Sequence, residues 1–509
     1  MTIDHADLPV EELRKPDAYP HPVGSEVLLI ETHISWVLLA GEFAYKIKKP
    51  IHNNFIDYSS LALRKHYCEE ELRLNQRFAK DVYLDVVAIT NSHGHIRMAD
   101  GGEPIEYAVR MRRFAADALL NYRVAHNLVD IHAVRSLAAN IATFHSQALI
   151  AEPASSFGTP ELIREEAIAN YQDIAHANIV RTREMVELLE HWSAQCFERH
   201  QCHFQDRKRE GHVRECHGDL HLGNVVLWKQ QLLPFDGIEF CDEFRWIDTL
   251  SDAAFAAMDF AAHGRLDFCH SFVNAYLEFT GDYSATGLLQ WYLVYRAMVR
   301  AKVAALRSMQ TDPATPEHVA AERELDAMLE LANRFTQLHT SQPKLWITYG
   351  LSGSGKTTGS EQVLQRHGAV RIRADVERKR IAGLNPLDRV VRGDEASERL
   401  YSSEMTTATY ARLAELAEQL LKSNVNVIID ATCLLKQQRE IFRELAVRKH
   451  VPFGILAFHA DPITLRNRIF KRQSEQDASD ADCEVLEIQL QMQQHLEADE
   501  LPFVSSLTD

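Results

Sequence analysis

Residues 350–357 read GLSGSGKT and directly follow the apolar run LWITY at residues 345–349. The spacing G-x-x-x-x-G-K-[ST] is that of a phosphate-binding loop between a strand and a helix. Its glycines let the backbone curl so that N–H groups point at phosphate oxygens, and the helix adds its positive amino end. Lys356 is expected to reach the β- and γ-phosphates, and Thr357 to offer its hydroxyl to Mg²⁺. The predicted nucleotide ligands are Gly350, Ser352, Gly353, Ser354, Gly355, Lys356, Thr357 and Thr358.

A second nucleotide motif lies far upstream. Residues 217–224 read HGDLHLGN, which has the H-x-D-x-x-x-x-N spacing of a kinase catalytic loop. A strand-like run follows at hairpin distance, and Asp236 comes directly after it. In this layout Asp219 can accept the proton of an attacking hydroxyl, whereas Asn224 and Asp236 can hold Mg²⁺ against a triphosphate. Asp219 alone would be read as a turn residue beside a glycine, but the joint pattern favours a catalytic site.

These motifs carry a resemblance that covers nearly all of the chain. Residues 25–310 resemble the aminoglycoside phosphotransferase (choline kinase-like) branch of the protein-kinase-like fold. Residues 343–505 resemble P-loop kinases of the zeta-toxin, polynucleotide-kinase and gluconate-kinase type. The whole chain is similar to bacterial bifunctional aminoglycoside phosphotransferase/ATP-binding proteins. The resemblance implies a two-lobed α+β kinase-like domain, followed by an α/β P-loop domain with a parallel sheet.

The organisation along the chain agrees with two domains, as expected for 509 residues. We predict a lead-in over residues 1–24, the kinase-like domain over 25–310, a helical linker over 311–342 and the P-loop domain over 343–509. Beyond the linker, strand and helix patterns alternate, which is typical of a parallel sheet.

In the first domain, Lys46 is expected to contact the α- and β-phosphates, as the strand lysine of a kinase does. Lys48 lies on the same strand face and is the rival candidate, and a surface lysine is the plainer reading. Glu70 is expected to hold that lysine from a helix, with Glu71 as the alternative. Acidic residues in a row are also typical of a solvated helix face.

Two features around the first motif bear on the branch of the fold. No G-x-G-x-x-G precedes the lysine strand, which favours the aminoglycoside-kinase branch over protein kinases. Asp248 and Asp252 resemble the acidic positions that follow the metal aspartate in this branch. We expect them to cap a helix and to brace the catalytic loop.

In the second domain, Asp375 and Arg378 resemble the D-x-x-R element of polynucleotide-kinase-like enzymes. The resemblance implies that Asp375 activates the acceptor hydroxyl at the end of a strand and that Arg378 contacts phosphate; a plain helix N-cap is the alternative for Asp375. Asp430 ends a second strand and resembles the residue that supports the metal. Arg468 and Arg472 lie four apart and resemble lid arginines, although they also fit a solvated helix face.

The bulk composition is that of an ordinary globular chain, with 46% hydrophobic and 25% charged residues. The sequence contains no run of 18 apolar residues, so no membrane span is predicted. The amino-terminal residues lack the basic and apolar parts of a signal peptide. The eight cysteines are scattered without a C-x-x-C pair, which is typical of reduced thiols. We therefore expect a cytoplasmic protein with no membrane partner.

The formal charge of −17 argues against broad nucleic-acid binding. A local basic cluster lies within residues 371–380, and it fits either a phosphate-facing surface or a solvated helix face. No aromatic residue is interleaved with it, as a single-stranded nucleic acid would favour. Nucleic acid is therefore a candidate partner of the second domain alone.

Together these patterns predict a Mg²⁺-dependent fusion of two ATP (or GTP) sites on unrelated folds, the first transferring phosphate to a hydroxyl group and the second acting as a P-loop kinase or ATPase. One alternative is that the second domain acts on a nucleic-acid 5′-hydroxyl or a nucleotide sugar. Another is that one domain is a nucleotide-regulated binding module. Neither acceptor can be read from the sequence, because a fold does not fix its substrate.

Overall fold

The computed structural model describes residues 8–24, 26–53, 55–92, 95–98, 101–177, 179–338, 342–386, 388, 399–472 and 482–505. Its contacts divide the chain into two compact units. The first unit holds residues 1–165 and 202–259, and the second holds residues 166–201 and 260–509. No helix within the described ranges has both the length and the apolar character needed to cross a membrane.

The elements of the first half begin mainly with strands, continue with helices and then return to short strands. They are β1 (Leu28–Glu31), β2 (Ser35–Ala40), β3 (Phe43–Lys48), α1 (Leu61–Ala79), β4 (Tyr83–Ser92), β5 (His95–Met98), β6 (Pro104–Arg112), α2 (Leu120–Ala125), α3 (Ile131–Gln147), α4 (Pro160–His176), α5 (Arg183–Arg209), β7 (Val213–Glu215), β8 (Val225–Trp228), β9 (Gln231–Pro234), α6 (Asp242–Arg245), β10 (Trp246–Asp248) and α7 (Thr249–Ala262).

The elements of the second half begin with three long helices. They are α8 (Leu266–Thr280), α9 (Thr286–Gln310), α10 (Pro316–Thr336), β11 (Leu345–Tyr349), α11 (Lys356–His367), β12 (Val370–Arg373), α12 (Ala374–Ile381), α13 (Ser403–Lys422), β13 (Val427–Asp430), α14 (Lys436–Lys449), β14 (Phe453–Ala457), α15 (Pro462–Arg472) and α16 (Cys483–Met492).

In the first unit, six strands form an antiparallel sheet in the order β1-β2-β3-β6-β4-β5. Side chains alternate between the two faces of a strand. Tyr45 and Ile47 of β3 therefore enter one apolar core, whereas Ala44 enters another core together with Cys68 of α1. Lys46 and Lys48 share the face of Ala44, so the strand presents both lysines towards α1.

Two small antiparallel pairs shape the segment that follows α5. β7 pairs with β10, and β8 pairs with β9 as a hairpin. The predicted catalytic loop, residues 217–224, lies between β7 and β8, and Asp236 follows β9. The hairpin expected from the sequence is thus present, and it separates the two halves of the predicted metal site.

In the second unit, four parallel strands lie in the order β12-β13-β11-β14. All five residues of β11 are buried, as expected for a parallel sheet covered on both faces. Leu277 of α8 and Tyr283 belong to the same apolar core as these strands. Helix α8 therefore packs on the sheet from which the phosphate-binding loop emerges.

The predicted fold classes are confirmed, an α+β arrangement for the first part and an α/β arrangement with a parallel sheet for the last. The expected strand at residues 369–375 ends earlier, at Arg373, because α12 begins at Ala374. Asp375 therefore lies in the first turn of a helix and not at a strand end. The domain boundaries near residues 310 and 343 remain predictions.

Candidate active sites

Two lysines of β3 and one glutamate of α1 form a buried ion-pair cluster. Lys46 Nζ lies 3.0 Å from Glu71 Oε1, and Lys48 Nζ lies 2.8 Å from Glu71 Oε2. Lys46 also pairs with Asp236, and Lys48 also pairs with Glu239. Buried charges are costly unless they are paired, so these contacts hold β3, α1 and the segment after β9 together.

The structure corrects the predicted partner of the strand lysine. Glu71, and not Glu70, contacts Lys46, because Glu71 shares the buried face of α1 with Cys68, three positions earlier. Glu70 lies off this face and pairs with Arg73 at 2.8 Å.

The cluster fixes the charge of its members. Burial by itself would raise the pKa of Glu71, but Lys46 and Lys48 lower that pKa to about 2. Burial would likewise lower the pKa of Lys46, but Asp236 and Glu71 raise it well above its ordinary value. Lys46 is therefore a cation and Glu71 an anion at neutral pH, which is the state needed to bind a polyphosphate.

The predicted catalytic loop is held by its own hydrogen bonds. Asn224 Nδ2 donates to the carbonyl oxygen of Asp219 at 2.9 Å and to its Oδ2 at 3.1 Å. His217 Nε2 donates to the carbonyl oxygen of Phe235 at 2.9 Å, and its Nδ1 accepts the N–H of Asp219 at 3.3 Å. Burial lowers the pKa of His217 and so keeps its ring neutral. The Asp219 side chain remains 38% exposed, so an acceptor can reach it.

Asp252 fastens this loop to α7. Its fully buried carboxylate accepts the N–H of Gly218 at 2.9 Å and the N–H of His217 at 3.1 Å. Gly218 has a φ of +87°, and a Cβ there would lie 2.6 Å from the carbonyl oxygen of Phe244. Only glycine fits this turn, which aims Asp219 outwards.

Asp248 supports the start of the same helix. Its carboxylate pairs with Arg207 at 2.6 Å and accepts the N–H of Leu250 at 2.8 Å. Asp248 and Asp252 therefore have the capping and bracing roles expected from the sequence.

Asp236 lies where a metal ligand of the first site would be needed. It has a φ of +62°, and its N–H donates to Tyr83 Oη at 3.1 Å. Its side chain is 41% exposed and contacts Lys46. The carboxylate of Asp236 and the amide of Asn224 offer oxygen ligands, the kind that Mg²⁺ prefers. The residues present therefore fit a magnesium ion.

The second site begins with the glycines of the loop between β11 and α11. Gly350 and Gly353 have φ values of +153° and +81°. A Cβ at Gly350 would lie 2.5 Å from the carbonyl oxygen of Phe458, and one at Gly353 would lie 2.9 Å from that of Leu465. The loop therefore has room for backbone alone, which leaves its N–H groups able to approach an anion.

The polar residues at the end of this loop contact the loop backbone and the end of β13. Lys356 Nζ donates to the carbonyl oxygen of Leu351 at 2.8 Å, and it thus folds back over the loop. Thr357 Oγ1 donates to Asp430 Oδ2 at 3.1 Å. A hydroxyl and a carboxylate at this distance fit a magnesium ion. Thr358, predicted as a further ligand, is exposed.

Two side chains from distant helices reach the loop. Gln489 of α16 accepts the N–H of Ser352 at 2.8 Å, and its Nε2 donates to Ser352 Oγ at 3.0 Å. Sequence reasoning missed Gln489, because it lies 137 residues away with no motif around it. Arg468 Nη1 donates to the carbonyl oxygen of Gly353 at 3.2 Å, and its role as a lid arginine remains a prediction. The side chain of Arg472 lies outside the described residues.

Asp375 and Arg378 are neighbours on α12. Arg378 Nη1 lies 3.4 Å from Asp375 Oδ1, and the Asp375 side chain is 36% exposed. The N-cap of α12 is Arg373, so Asp375 is not a plain N-cap. A partly exposed carboxylate is thus available in this helix turn, beside an arginine.

The basic cluster of residues 371–380 is largely engaged internally. Arg371 is fully buried and pairs with Glu361 at 2.9 Å, and Arg373 pairs with Glu278 at 3.1 Å. Arg380 pairs with Glu377. Arg371 and Arg373 are buried, so for these two arginines neither expected reading is correct, whereas Arg380 is partly exposed.

Known proteins were compared with the chain at the levels of family, sequence and structure. Residues 345–496 match the family model described as "AAA domain". An uncharacterized protein of Mycobacterium tuberculosis is 30% identical over 471 residues, which cover 91% of this chain and 90% of that protein. The chain belongs to the same family as this mycobacterial protein.

Solved structures resemble the two parts of the chain separately. A choline/ethanolamine kinase family protein from Mesorhizobium loti has 12% identity and a TM-score of 0.40, covering 64% of this chain and 97% of its own. A gluconokinase from Sinorhizobium meliloti has 18% identity and a TM-score of 0.23, covering 33% of this chain and 86% of its own.

The Glu71→Gln variant is expected to lower the free energy of unfolding of the first unit by about 3 kcal/mol. It would leave two buried lysines with one shared anion fewer. The matched Glu70→Gln variant removes a partly exposed pair and should cost less than about 1 kcal/mol. Urea unfolding at pH 7 measures both, and equal losses would contradict the assignment of Glu71.

The difference in stability between wild type and Glu71→Gln should depend on pH in a defined way. The folded-state pKa of Glu71, about 2, lies below its ordinary value of 4.5. Its stabilisation is therefore complete above pH 4.5 and is lost as the pH falls towards 2. The difference between wild type and Glu71→Gln should shrink over this window and stay constant from pH 5 to pH 8.

Proposed function

We propose that this family member transfers the γ-phosphoryl group of ATP or GTP to hydroxyl acceptors at two separate sites. The observation that supports the proposal is that each unit brings together a set of charged and polar side chains of the kinds that could hold phosphate, a metal ion and an acceptor. Phosphoryl transfer needs mainly positioning and charge stabilisation, and both sets supply these.

At the first site, Asp219 is the proposed general base. Asn224 holds its carboxylate, and Asp252 holds the loop that carries it. The acceptor oxygen bonds to the γ-phosphorus, the bond to the bridging oxygen breaks, and Asp219 takes the hydroxyl proton. Lys46, a cation held by Glu71, is proposed to contact the triphosphate.

At the second site, the loop backbone and Lys356 are proposed to hold the triphosphate, and Asp375 to orient and deprotonate the acceptor. Arg378 lies beside Asp375 and can offset charge on the phosphoryl group. Thr357 and Asp430 here, and Asn224 and Asp236 at the first site, would hold Mg²⁺. When bound, Mg²⁺ neutralises phosphate charge at both sites.

The acceptors are proposed to be small molecules. Arg371 and Arg373 of the basic cluster are engaged in internal ion pairs, so these two residues give the polynucleotide alternative no support. We place the protein in the cytoplasm.

The Asp219→Asn variant should reduce transfer by the first site by roughly 10²–10⁴-fold, because it removes the general base. Affinity for ATP should be unchanged, since it depends on other groups. Labelled ATP, screened against metabolite, aminoglycoside and RNA-oligonucleotide pools, measures transfer. The matched control, Asp117→Asn, changes an exposed aspartate of the same unit. Undiminished transfer in Asp219→Asn would remove this residue from the mechanism.

The Lys356→Ala variant of the full chain should abolish nucleotide turnover by the second site and leave the first site active. The reason is that Lys356 is the main side-chain cation at the phosphates of its own loop. Lys422→Ala, at an exposed helix end, is the control. Loss of both activities in Lys356→Ala, with the chain still folded, would show that the sites are not independent.

The Asp375→Asn variant should lower phosphoryl transfer by the second site far more than it changes the dissociation constant of ATP. The loop, Lys356 and Thr357 stay intact, whereas the acceptor loses its carboxylate. Turnover and ATP binding are measured side by side, with Asp326→Asn on α10 as the matched control. A parallel change in both quantities would place Asp375 in the nucleotide site or in folding instead.

A further inference from the structure

A cavity of about 210 Å³ lies within the second unit, away from the residues used so far. Helices α8 and α9 and the end of α10 form one side. The end of α11 and the starts of β12 and β13 form the other. Its apolar wall consists of Leu266, Val273, Leu289, Leu293, Phe335 and Val370.

The cavity is distinct from the proposed nucleotide site. It meets the parallel strands at their amino ends, at Val370 and Asn426, whereas Asp430 and the phosphate-binding loop follow the carboxyl ends. Each residue of a strand adds about 3.3 Å, so four-residue strands separate the two places by roughly 10 Å or more. A ligand in the cavity would not be the phosphate acceptor.

One polar side-chain atom of the cavity lacks a hydrogen-bond partner among the described residues. Asn274 is 1% exposed, and its Oδ1 accepts the N–H of Arg371 at 2.7 Å. This bond fixes the orientation of the amide, so that Nδ2 is the remaining donor. Nδ2 has no hydrogen-bond partner among the described residues. A buried donor without a partner destabilises the folded chain, and an acceptor atom of a bound ligand would recover that loss.

A second polar atom points to the same kind of ligand. His367 also lines the cavity, and its Nε2 is buried without a partner among the described residues. Burial, Arg366 and Lys344 all lower the pKa of His367, so the surroundings are positive. Arg366 lines the cavity too, whereas no acidic residue does so within the described part of the chain. In a chain of net charge −17, this local absence of acids favours an anion.

The volume of the cavity limits the size of the apolar part of a bound ligand. A protein cavity of about 150 Å³ holds a benzene molecule. The volume here accommodates one such ring or a short branched chain, together with a carboxylate. We propose that this cavity binds a small organic acid, with its apolar body against the leucines and Phe335 and its carboxylate towards Asn274, His367 and Arg366.

The test uses the full chain with 3-phenylpropionate as the probe and 3-phenylpropionamide as its uncharged analogue. Calorimetric titration should show the acid binding once per chain and at least ~10-fold more tightly than the amide. A saturating ATP analogue with Mg²⁺ should not displace the acid, because the two places are separate. Equal affinities, no binding at millimolar concentration, or displacement by the nucleotide would each overturn the proposal.

Variants assign the binding to this cavity. Asn274→Asp keeps an acceptor for the N–H of Arg371 but replaces the donor by a carboxylate oxygen, and should weaken the acid by at least ~10-fold. Asn333→Asp makes the same change on α10 outside the cavity lining and should bind as wild type does. Val273→Phe fills part of the apolar space of the cavity and should abolish binding of the acid. Wild-type affinity in either cavity variant, with a folded chain by circular dichroism, would overturn the assignment.

Discussion

Two lysines on one face of one strand impose the constraint on which the first unit depends. Lys46 and Lys48 are both nearly inaccessible to water, so each requires a carboxylate. Glu71 serves both, and the remaining partners, Asp236 and Glu239, come from the segment after the β8–β9 hairpin. These ion pairs therefore link the sheet, α1 and the segment after β9. Removing one charged side chain would leave its partners unpaired and destabilise the whole cluster.

The second unit also contains a buried, paired charge, close to its predicted phosphate-binding loop. Arg371 of β12 is fully buried, donates to the carbonyl oxygen of Thr357 at 2.8 Å and pairs with Glu361. It therefore ties the neighbouring strand to the helix that begins the nucleotide site. Arg373 is paired with Glu278 of α8. Helix α8 thus contacts both the strand that leads to Asp375 and the cavity proposed to take an organic acid.

The sequence was sufficient where function is encoded locally. The strand at residues 345–349, the loop between it and α11, and the hairpin before Asp236 were predicted correctly because neighbouring residues carry each pattern, whereas the phosphate-binding and catalytic roles of the two loops remain predictions. The choice of Glu71 over Glu70 depends on the rotation of α1 against the sheet, although the buried positions Cys68 and Asn75 indicate the face after the fact. The internal pairing of Arg371 and the approach of Gln489 to the loop depend on residues far away in the chain, so no local pattern could predict them.

The central claim is that one chain carries two complete and separate nucleotide sites. Native mass spectrometry of the full chain with Mg²⁺ and a non-hydrolysable ATP analogue counts the bound nucleotides directly. The saturated chain is expected to carry two nucleotides. Saturation with one nucleotide per chain, at nucleotide concentrations well above the dissociation constants of both sites, would contradict the proposal of two sites.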